Sequence, residues 1–144
     1  MEIALKILLA VDGSKYTKKM LAYLATHAEL FSPNHEYRVF TAQVPMPLRA
    51  SAVVGADVVK NFHAEEAERI LGPVCKFLTR HRIDATSSWK VGAAGALIGK
   101  FADSGKFDLL VMGSHGHGAL VNLVIGSVTT QVLANCRTPV LIVR

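Results

Sequence analysis

The sequence contains no long hydrophobic run. Its apolar segments are about as long as a strand, whereas a helix that crosses a bilayer needs roughly 20 apolar residues. We therefore expect no membrane span and no membrane partner. Near the N-terminus, Glu2 and Lys6 interrupt the apolar residues and the turn-forming Asp12-Gly13 follows. Residues 3–11 therefore predict a buried strand rather than a signal peptide.

Cysteine is also scarce. The chain has 2 cysteines, Cys75 and Cys136, which lie far apart and form no CxxC motif or Cys/His cluster. This argues against a disulfide framework and against a structural zinc site. A reducing compartment fits this usage, so we expect a cytoplasmic protein.

Charged residues make up only 19% of the chain. Their balance is basic, with 16 Lys and Arg against 11 Asp and Glu, and a formal charge of +5 would suit a nucleic acid partner. However, the basic side chains form no dense tract and have few aromatic residues among them. We expect a mildly basic solvated surface and no nucleic acid partner.

Hydrophobic residues are abundant, at 51% of 144, and they alternate with polar segments throughout. This is enough for one core, so we expect a single domain over residues 1–144. Predicted strands cover residues 3–11, 37–44, 85–91, 109–112 and 140–143. Predicted helices cover residues 14–30, 56–81, 95–104 and 124–134, with Ser14 capping the first and Gly72-Pro73 kinking or dividing the second. Residues 48–54 predict a loop or mobile lid.

This alternation of strands and helices predicts an α/β fold. Since each connection is helix-length, a single doubly wound domain follows, with a five-stranded, mainly parallel sheet and helices on both faces. Ligands of such sheets collect beyond the carboxyl ends of the strands, where the strand order reverses. Asp12-Gly13-Ser14 and the glycine-rich segment after the fourth strand would both lie there.

The glycine-rich segment, residues 112–118, leaves a predicted strand, and Gly126-Ser127-Val128 follows at a predicted helix start. Glycines let backbone N–H groups approach an oxyanion, and a helix N-terminus offers unpaired donors with about half a positive charge. The segment therefore predicts a phosphate cradle. The alternative is a flexible loop in which Ser127 is an ordinary helix cap.

Two common nucleotide motifs are missing. Residues 95–100 read Gly-Ala-Leu-Ile-Gly-Lys, which is one residue short of GxxxxGK[ST] and is followed by Phe101. This excludes a P-loop with its magnesium-binding hydroxyl. No GxGxxG follows the first strand, which argues against a conventional dinucleotide-binding unit.

The spacing Gly113-x2-Gly116-x9-Gly126-Ser127 resembles, at every position, the G-x2-G-x9-G-[ST] signature of ATP-binding universal stress proteins. Residues 7–14 are similar to the family's opening strand and turn, residues 108–113 to its fourth strand, and residues 138–143 to its closing strand. The resemblance therefore extends over nearly the full length.

The resemblance implies a role for each residue of a nucleotide pocket. Asp12 would accept hydrogen bonds from the ribose, Val39 would present backbone groups to the adenine edge, and Ala10 and Met112 would pack beside the base and sugar. The residues around the phosphates would be Gly113, Gly116, Gly126, Ser127 and Val128. From the residues alone, Asp12 could be a turn-former, and Val39 and Met112 plain core residues.

His115 and His117 flank Gly116 and invite a metal or general-base interpretation. A zinc site needs a third protein ligand, and a glycine-rich loop positions a base poorly. We therefore expect no metal site and no catalytic residue, with both histidines facing solvent or donating to a phosphate. The other histidines lack companions at ligand spacing and are expected on the surface; they are His27, His35, His63 and His81.

The predicted function, as the resemblance implies, is binding of ATP, AMP or a related adenine nucleotide by a stress-response regulatory or signalling protein. Mg²⁺ could accompany the nucleotide, and the protein partners are left open. Since no base, nucleophile or arginine clamp can be assigned, we expect at most a slow ATPase. Two alternatives stay open. They are a nucleotide-independent dimeric interaction module and, given the limited size of the chain, a small adenine-nucleotide-dependent enzyme such as an adenylating ligase.

The last predicted strand, residues 140–143, is short and apolar and is expected at an edge of the sheet. An uncovered edge of this kind promotes aggregation. Pairing with the same strand of a second copy would cover both edges under two-fold symmetry, and the resembled family commonly dimerises in this way. We expect a homodimer through this strand; the alternative is a covered edge in a monomer.

Overall fold

The computed structural model describes residues 3–118 and 123–144. Its strands are β1 (Lys6–Ala10), β2 (Glu36–Gln43), β3 (Ala85–Val91), β4 (Leu109–Gly113) and β5 (Val140–Val143). Its helices are α1 (Lys15–Thr26), α2 (Leu48–Val54), α3 (Ala56–Arg80), α4 (Ala94–Ser104) and α5 (Ser127–Asn135). Among the described helices, none combines the length and the apolar character that a bilayer span requires.

The five strands form one parallel sheet in the order β3-β2-β1-β4-β5. The chain runs from β1 outward through β2 to β3, then crosses back to β4 on the other side of β1. The strand order therefore reverses between β1 and β4, which opens a crevice at their carboxyl ends. The predicted doubly wound fold is confirmed.

Strand β1 is buried on both faces because helices cover the sheet from both sides. Its alternate residues belong to two separate cores, Ile7 and Leu9 to one and Leu8 and Ala10 to the other. The first core includes Met20 and Leu24 of α1 and Leu71 and Val74 of α3, whereas the second includes Ile98 and Ala102 of α4 and Val132 of α5. A strand placed in this way needs apolar side chains on both faces, which is why residues 7–10 form a continuous hydrophobic run after Lys6.

Residues 48–54 form helix α2, so the predicted loop is wrong. Pro45 and Pro47 precede the helix, and Pro47 is its N-cap residue. The N–H of Ser51 donates to the Pro47 carbonyl at 3.0 Å, closing the first turn. The helix ends at Gly55, whose φ of 85° few other residues tolerate, and α3 begins directly after it.

Several predicted helix boundaries shift. Helix α1 ends at Thr26 rather than near residue 30, because the chain turns at His27 to bury Phe31 against Tyr23, with ring centroids 6.1 Å apart. Helix α3 runs through Pro73 without being divided. Helix α5 begins at Ser127 rather than at residue 124.

His63 contradicts the expectation of a surface histidine. It lies on α3 and is only 3% exposed, whereas His27 and His81 are exposed and His35 is half-buried. The α3 helix turns His63 inward because it occupies the buried stripe that continues with Ala67, Leu71 and Val74.

Candidate functional site

A cleft of about 600 Å³ opens where the strand order reverses, and we call it the switch-point cleft. Its walls are the carboxyl ends of β1, β2 and β4, the N-terminus of α5 and one face of α3. Every predicted binding residue except Val39 lines it, namely Ala10, Asp12, Met112, Gly113, Gly116, Gly126, Ser127 and Val128. Residues 119–122, which belong to the interval between the second and third signature glycines, lie outside the described part of the chain.

Asp12 lies at the end of β1, where hydrogen bonds within the turn fix its carboxylate. Oδ1 accepts from the Ser14 N–H at 2.9 Å and from the Thr17 hydroxyl at 3.0 Å, and the Asp12 N–H donates to the same Thr17 oxygen at 3.1 Å. Oδ2 faces the glycine-rich segment, since a Cβ built on Gly116 would lie 2.6 Å from it. Asp12 is therefore a turn-former through one oxygen and presents the other to the cleft.

Both histidines of the glycine-rich segment hold that segment in place. His117 is exposed, as expected, and its Nε2 donates to the Asp12 carbonyl at 2.7 Å. His115 is half-buried; its Nε2 donates to the Leu123 carbonyl at 2.9 Å, and its Nδ1 lies 2.9 Å from the Ser114 hydroxyl. With Nε2 protonated in the neutral ring, Nδ1 accepts from Ser114. Among the described residues, no group of three metal-binding side chains occurs.

The end of β4 is locked to the start of α5. The Gly126 N–H donates to the Ser114 carbonyl at 2.7 Å, and the Thr129 hydroxyl lies 3.2 Å from the Gly113 carbonyl and 3.3 Å from that of Ser114. A Cβ on Gly126 would lie 3.2 Å from the Cα of His115. Because the nearest atom belongs to backbone, a larger residue at Gly126 would have to displace the segment.

The N-terminus of α5 borders the cleft without a side-chain cap. Gly126 is the N-cap residue and Ser127 the first helical residue, so Ser127 does not act as the ordinary cap that was the alternative. The first N–H groups of a helix have no acceptor within the helix, and the helix dipole adds partial positive charge there. The first turn carries no acidic side chain. This wall of the cleft is therefore suited to an anion.

Val39 lies outside the cleft, in the core of the sheet. It is fully buried on β2, in register with Leu9 of β1 and Ser87 of β3. Thr41, two residues further along the same strand face, lines the cleft instead. Its hydroxyl oxygen is buried and has no hydrogen-bond partner among the described residues.

Thr41 was missed by the sequence analysis although a signal was available. Val39, Thr41 and Gln43 occupy every second position of β2, so their side chains lie on the same face of the sheet. Along this face the residues change from apolar to polar towards the carboxyl end of the strand. Thr41 and Gln43 are both buried and both line the cleft. Buried polar side chains in such a position indicate a ligand wall rather than a core.

Helix α3 adds a cation that sequence reasoning also missed. Arg69 lines the cleft together with Glu66, and its Nη2 lies 2.9 Å from Glu66 Oε2. The hydrogen bond from Arg69 holds the pKa of Glu66 below its usual value. In the sequence, Arg69 is one of many scattered basic residues, and only the packing of α3 over the sheet brings it to this site.

Solved structures share this fold. The structure of protein MJ0577 from Methanocaldococcus jannaschii is similar with a TM-score of 0.80 and 26% identity, covering 99% of this chain and 96% of that chain. A universal stress protein from Archaeoglobus fulgidus in complex with dAMP has a TM-score of 0.69 at 20% identity, over 99% of this chain and 100% of that chain. A family protein from Arabidopsis thaliana with AMP bound has a TM-score of 0.66 at 14% identity, over 96% and 90%.

Curated relatives show the family as well as the fold. Universal stress protein Slr1230 of Synechocystis is 32% identical over 139 residues, which cover 96% of this chain but only 42% of that protein. A universal stress protein of Thermus aquaticus is 32% identical over 138 residues, covering 96% of this chain and 97% of its own length. The model of the universal stress protein family matches residues 5–144. This chain therefore belongs to the universal stress protein family.

Proposed function

We propose that this chain binds an adenine nucleotide, ATP or AMP, in the switch-point cleft and acts as a stress-response regulatory or signalling protein. The observation that carries the proposal is one cleft with two different walls. One wall is the uncapped N-terminus of α5, and the other contains the buried, unpartnered hydroxyl of Thr41. A nucleotide has a matching polarity, with anionic phosphates at one end and a hydrogen-bonding base at the other.

The phosphate end would be formed by backbone donors. The N–H groups of Ser127 and Val128 begin α5, and the Ser127 side chain is exposed beside them. Arg69 on α3 provides a positive charge on the opposite wall. Because the lining also includes Glu66, whose carboxylate is paired with Arg69, the guanidinium would exchange this partner for a phosphate.

The nucleoside end would lie between β1 and β2. Thr41 and Gln43 supply polar groups, and Ala10 and Met112 supply apolar surface for the base and sugar. Asp12 offers Oδ2 to the ribose hydroxyls, while Oδ1 keeps its bonds to the turn. Charged hydrogen bonds of this kind contribute about 1.5–3 kcal/mol each when they replace bonds to water.

Binding rather than hydrolysis is the proposed activity. Both ring nitrogens of His115 are engaged in holding the glycine-rich segment, so this ring cannot act as a base without breaking a contact, and His117 is tied to the Asp12 carbonyl through Nε2. The dAMP and AMP complexes of the Archaeoglobus and Arabidopsis proteins support an adenine nucleotide as the ligand class. Two free thiols, Cys75 and Cys136, fit the reducing cytoplasm in which we place the protein.

The test uses two substitutions of Ser127 and calorimetry with ATP and with AMP. Ser127→Pro removes the hydroxyl and one backbone donor, whereas Ser127→Ala removes the hydroxyl alone. Proline is well accepted at the first helical position, and Gly126, with φ of −79° and ψ of 173°, suits the residue before a proline. We expect the proline variant to bind at least about tenfold more weakly than the alanine variant, because a charge-assisted hydrogen bond is lost.

Equal affinities of the two Ser127 variants would contradict the assignment of phosphates to α5. Gly126→Val, which would collide with the His115 backbone, is expected to abolish binding. If the parent protein binds neither ATP nor AMP, the proposed function is wrong and a nucleotide-independent interaction module is favoured.

A further inference from the structure

A second cavity of about 720 Å³ lies between α2, the first half of α3 and the end of β3, and we call it the α2–α3 cavity. Most of its lining is apolar, including Leu48 of α2, Val59 of α3, and Trp89 and Val91 of β3. Among the residues that the structure describes, Pro45 and Met46 alone border both this cavity and the switch-point cleft. A volume of this size and character is typical of small-molecule sites.

The buried histidine of α3 lines the α2–α3 cavity. His63 is 3% exposed, and neither Nδ1 nor Nε2 has a hydrogen-bond partner among the described residues. Its neighbour Phe62 offers only a ring edge contact, with centroids 5.4 Å apart. Buried polar groups are nearly always hydrogen-bonded, so an unpartnered imidazole in a cavity wall indicates that a ligand supplies the partner.

The charge of the lining indicates the chemistry of that ligand. The ionisable side chains that line the cavity are His63 and Lys60, which lie one turn apart on α3, and no carboxylate is among the lining residues of the described chain. Two basic groups favour an anion, and the apolar remainder of the wall favours a hydrocarbon or aromatic body. A phosphate, with its higher charge and no apolar body, would be less well matched by a lining that is mostly apolar.

We propose that the α2–α3 cavity binds a small apolar carboxylate, such as a medium-chain fatty acid or an aryl-substituted acid. The carboxylate accepts a hydrogen bond from His63 and is attracted by Lys60, which is exposed at the same wall. The apolar body packs against Trp89 and the residues of α2 that face the cavity. This site is separate from the proposed nucleotide function and does not depend on it.

The single tryptophan of the chain makes a direct test practical. Trp89 lines the α2–α3 cavity and does not line the switch-point cleft, so its fluorescence reports this cavity. Titration of the full chain with decanoate is expected to change that fluorescence saturably. Decan-1-ol, which has the same chain length but no charge, is expected to bind at least about tenfold more weakly, as the loss of a charged hydrogen bond predicts.

His63→Phe keeps an aromatic ring in the wall and removes both nitrogens. We expect it to weaken decanoate binding at least about tenfold and to leave decan-1-ol binding unchanged. His81→Phe is the matched control, because His81 is exposed and lies at the far end of α3. It should alter neither affinity.

Lys60→Met does not alter the core, since Lys60 is exposed. We expect it to weaken decanoate binding several-fold and to leave decan-1-ol binding unchanged. It serves as the second test if His63→Phe does not fold. The proposal is overturned by a parent protein that shows no saturable response to decanoate, by equal affinities for decanoate and decan-1-ol, or by decanoate binding that neither substitution weakens.

Discussion

At the scale of single residues, Thr41 and Thr129 differ in whether their buried hydroxyl groups form hydrogen bonds. Both are buried and both line the switch-point cleft. The Thr129 hydroxyl donates to the carbonyls of Gly113 and Ser114, so it ties α5 to β4. The Thr41 hydroxyl has no partner within the described chain, so its burial costs free energy that a ligand could recover.

Thr41→Val is therefore expected to have opposite effects on folding and on binding. Removing an unpaired buried hydroxyl should raise the free energy of unfolding by about 1 kcal/mol. The same change should weaken adenine nucleotide binding about tenfold, because the group that pairs with the base is lost. Urea denaturation without nucleotide and calorimetry with it measure the two quantities.

Thr129→Val is the control for the folding part of this prediction. It removes hydrogen bonds that exist in the free protein, so it should lower the free energy of unfolding by about 1 kcal/mol. If both valine variants are less stable than the parent by a similar amount, the Thr41 hydroxyl has a partner and the polar wall of the cleft is misassigned.

At the scale of elements, Asp103 of α4 anchors the segment that leads into β5. Its carboxylate accepts from the Thr138 hydroxyl at 2.8 Å and from the N–H groups of Thr138 and Arg137 at 3.1 Å each, with the Cys136 thiol at 3.5 Å. The hydroxyl of Thr138 and the N–H of Arg137 hold the pKa of Asp103 below its usual value of 3.8. These bonds fix the entry of the last strand to the sheet.

The lowered pKa gives this anchor a defined dependence on pH. Because the folded form binds a proton less readily than the unfolded form, the contribution of Asp103 to stability is present above about pH 4 and is lost as the pH falls further. Asp103→Asn should therefore be less stable than the parent near pH 7, and the difference should shrink as the pH is lowered below the usual aspartate range. Urea denaturation at a series of pH values measures this difference.

Asp84→Asn provides the matched control for Asp103→Asn. Asp84 is exposed before β3, and no hydrogen bond to its side chain is formed within the described residues. The Asp84→Asn substitution removes one negative charge, as Asp103→Asn does, but breaks no hydrogen bond to a backbone N–H group. A stability difference between the parent and Asp103→Asn that stays constant over the acid range would contradict the assigned role of the carboxylate.

Some helices and strands are easier to predict from the sequence than others. An element is easy to predict when its burial leaves a hydrophobic pattern in its own residues. Strands such as β1 and β5 were predicted because both lie within apolar runs bordered by turn residues, Asp12-Gly13 after β1 and Pro139 before β5. Helix α2 was missed because none of its residues is buried, so it has no apolar stripe that a periodicity analysis could detect. Pro45 and Pro47 stand directly before it, and prolines are typical of turns and loops.

The lining of the cleft was predicted better at the glycine-rich segment than at β2 and α3. Gly113, Gly116 and Gly126 stand at fixed spacings in one stretch of sequence, and local pattern is enough to find them. Thr41 and Arg69 come from β2 and α3, and only the packing of these elements around β1 brings them to the cleft. The inward position of His63 follows from its helical spacing with Ala67 and Leu71, but the cavity beside it depends on how α2 and α3 pack next to β3.

At the scale of the whole molecule, the sheet order places the switch-point cleft and the α2–α3 cavity away from one edge of the sheet. The α2–α3 cavity lies beside β3 and the switch-point cleft beside β1 and β4, whereas β5 forms the opposite edge of the sheet. A second copy that paired along β5 would therefore leave the cavity beside β3 uncovered. We propose such a homodimer, with the two β5 strands antiparallel about a two-fold axis.

The hydrogen bonds of β5 show which of its residues face the free edge. The carbonyls of Pro139 and Val143 accept from the Leu110 and Ser114 N–H groups at 2.9 and 2.8 Å. Since the backbone groups of a strand alternate in direction, odd-numbered residues of β5 point to β4, and the N–H groups of Val140 and Ile142 point outward. Proline is tolerated on an edge strand where the missing N–H faces outward.

Ile142→Pro should therefore break the dimer while leaving the β4–β5 pairing in place. The parent is expected to have twice the chain mass of 15.5 kDa in light scattering after size exclusion, and the proline variant a mass near 15.5 kDa with unchanged far-UV circular dichroism. Ile142→Val is the control, because it keeps the N–H and an apolar side chain, and it should remain dimeric. A monomeric parent at micromolar concentration, or a dimer that survives Ile142→Pro, would rule out this interface and leave the edge of β5 to be covered in another way.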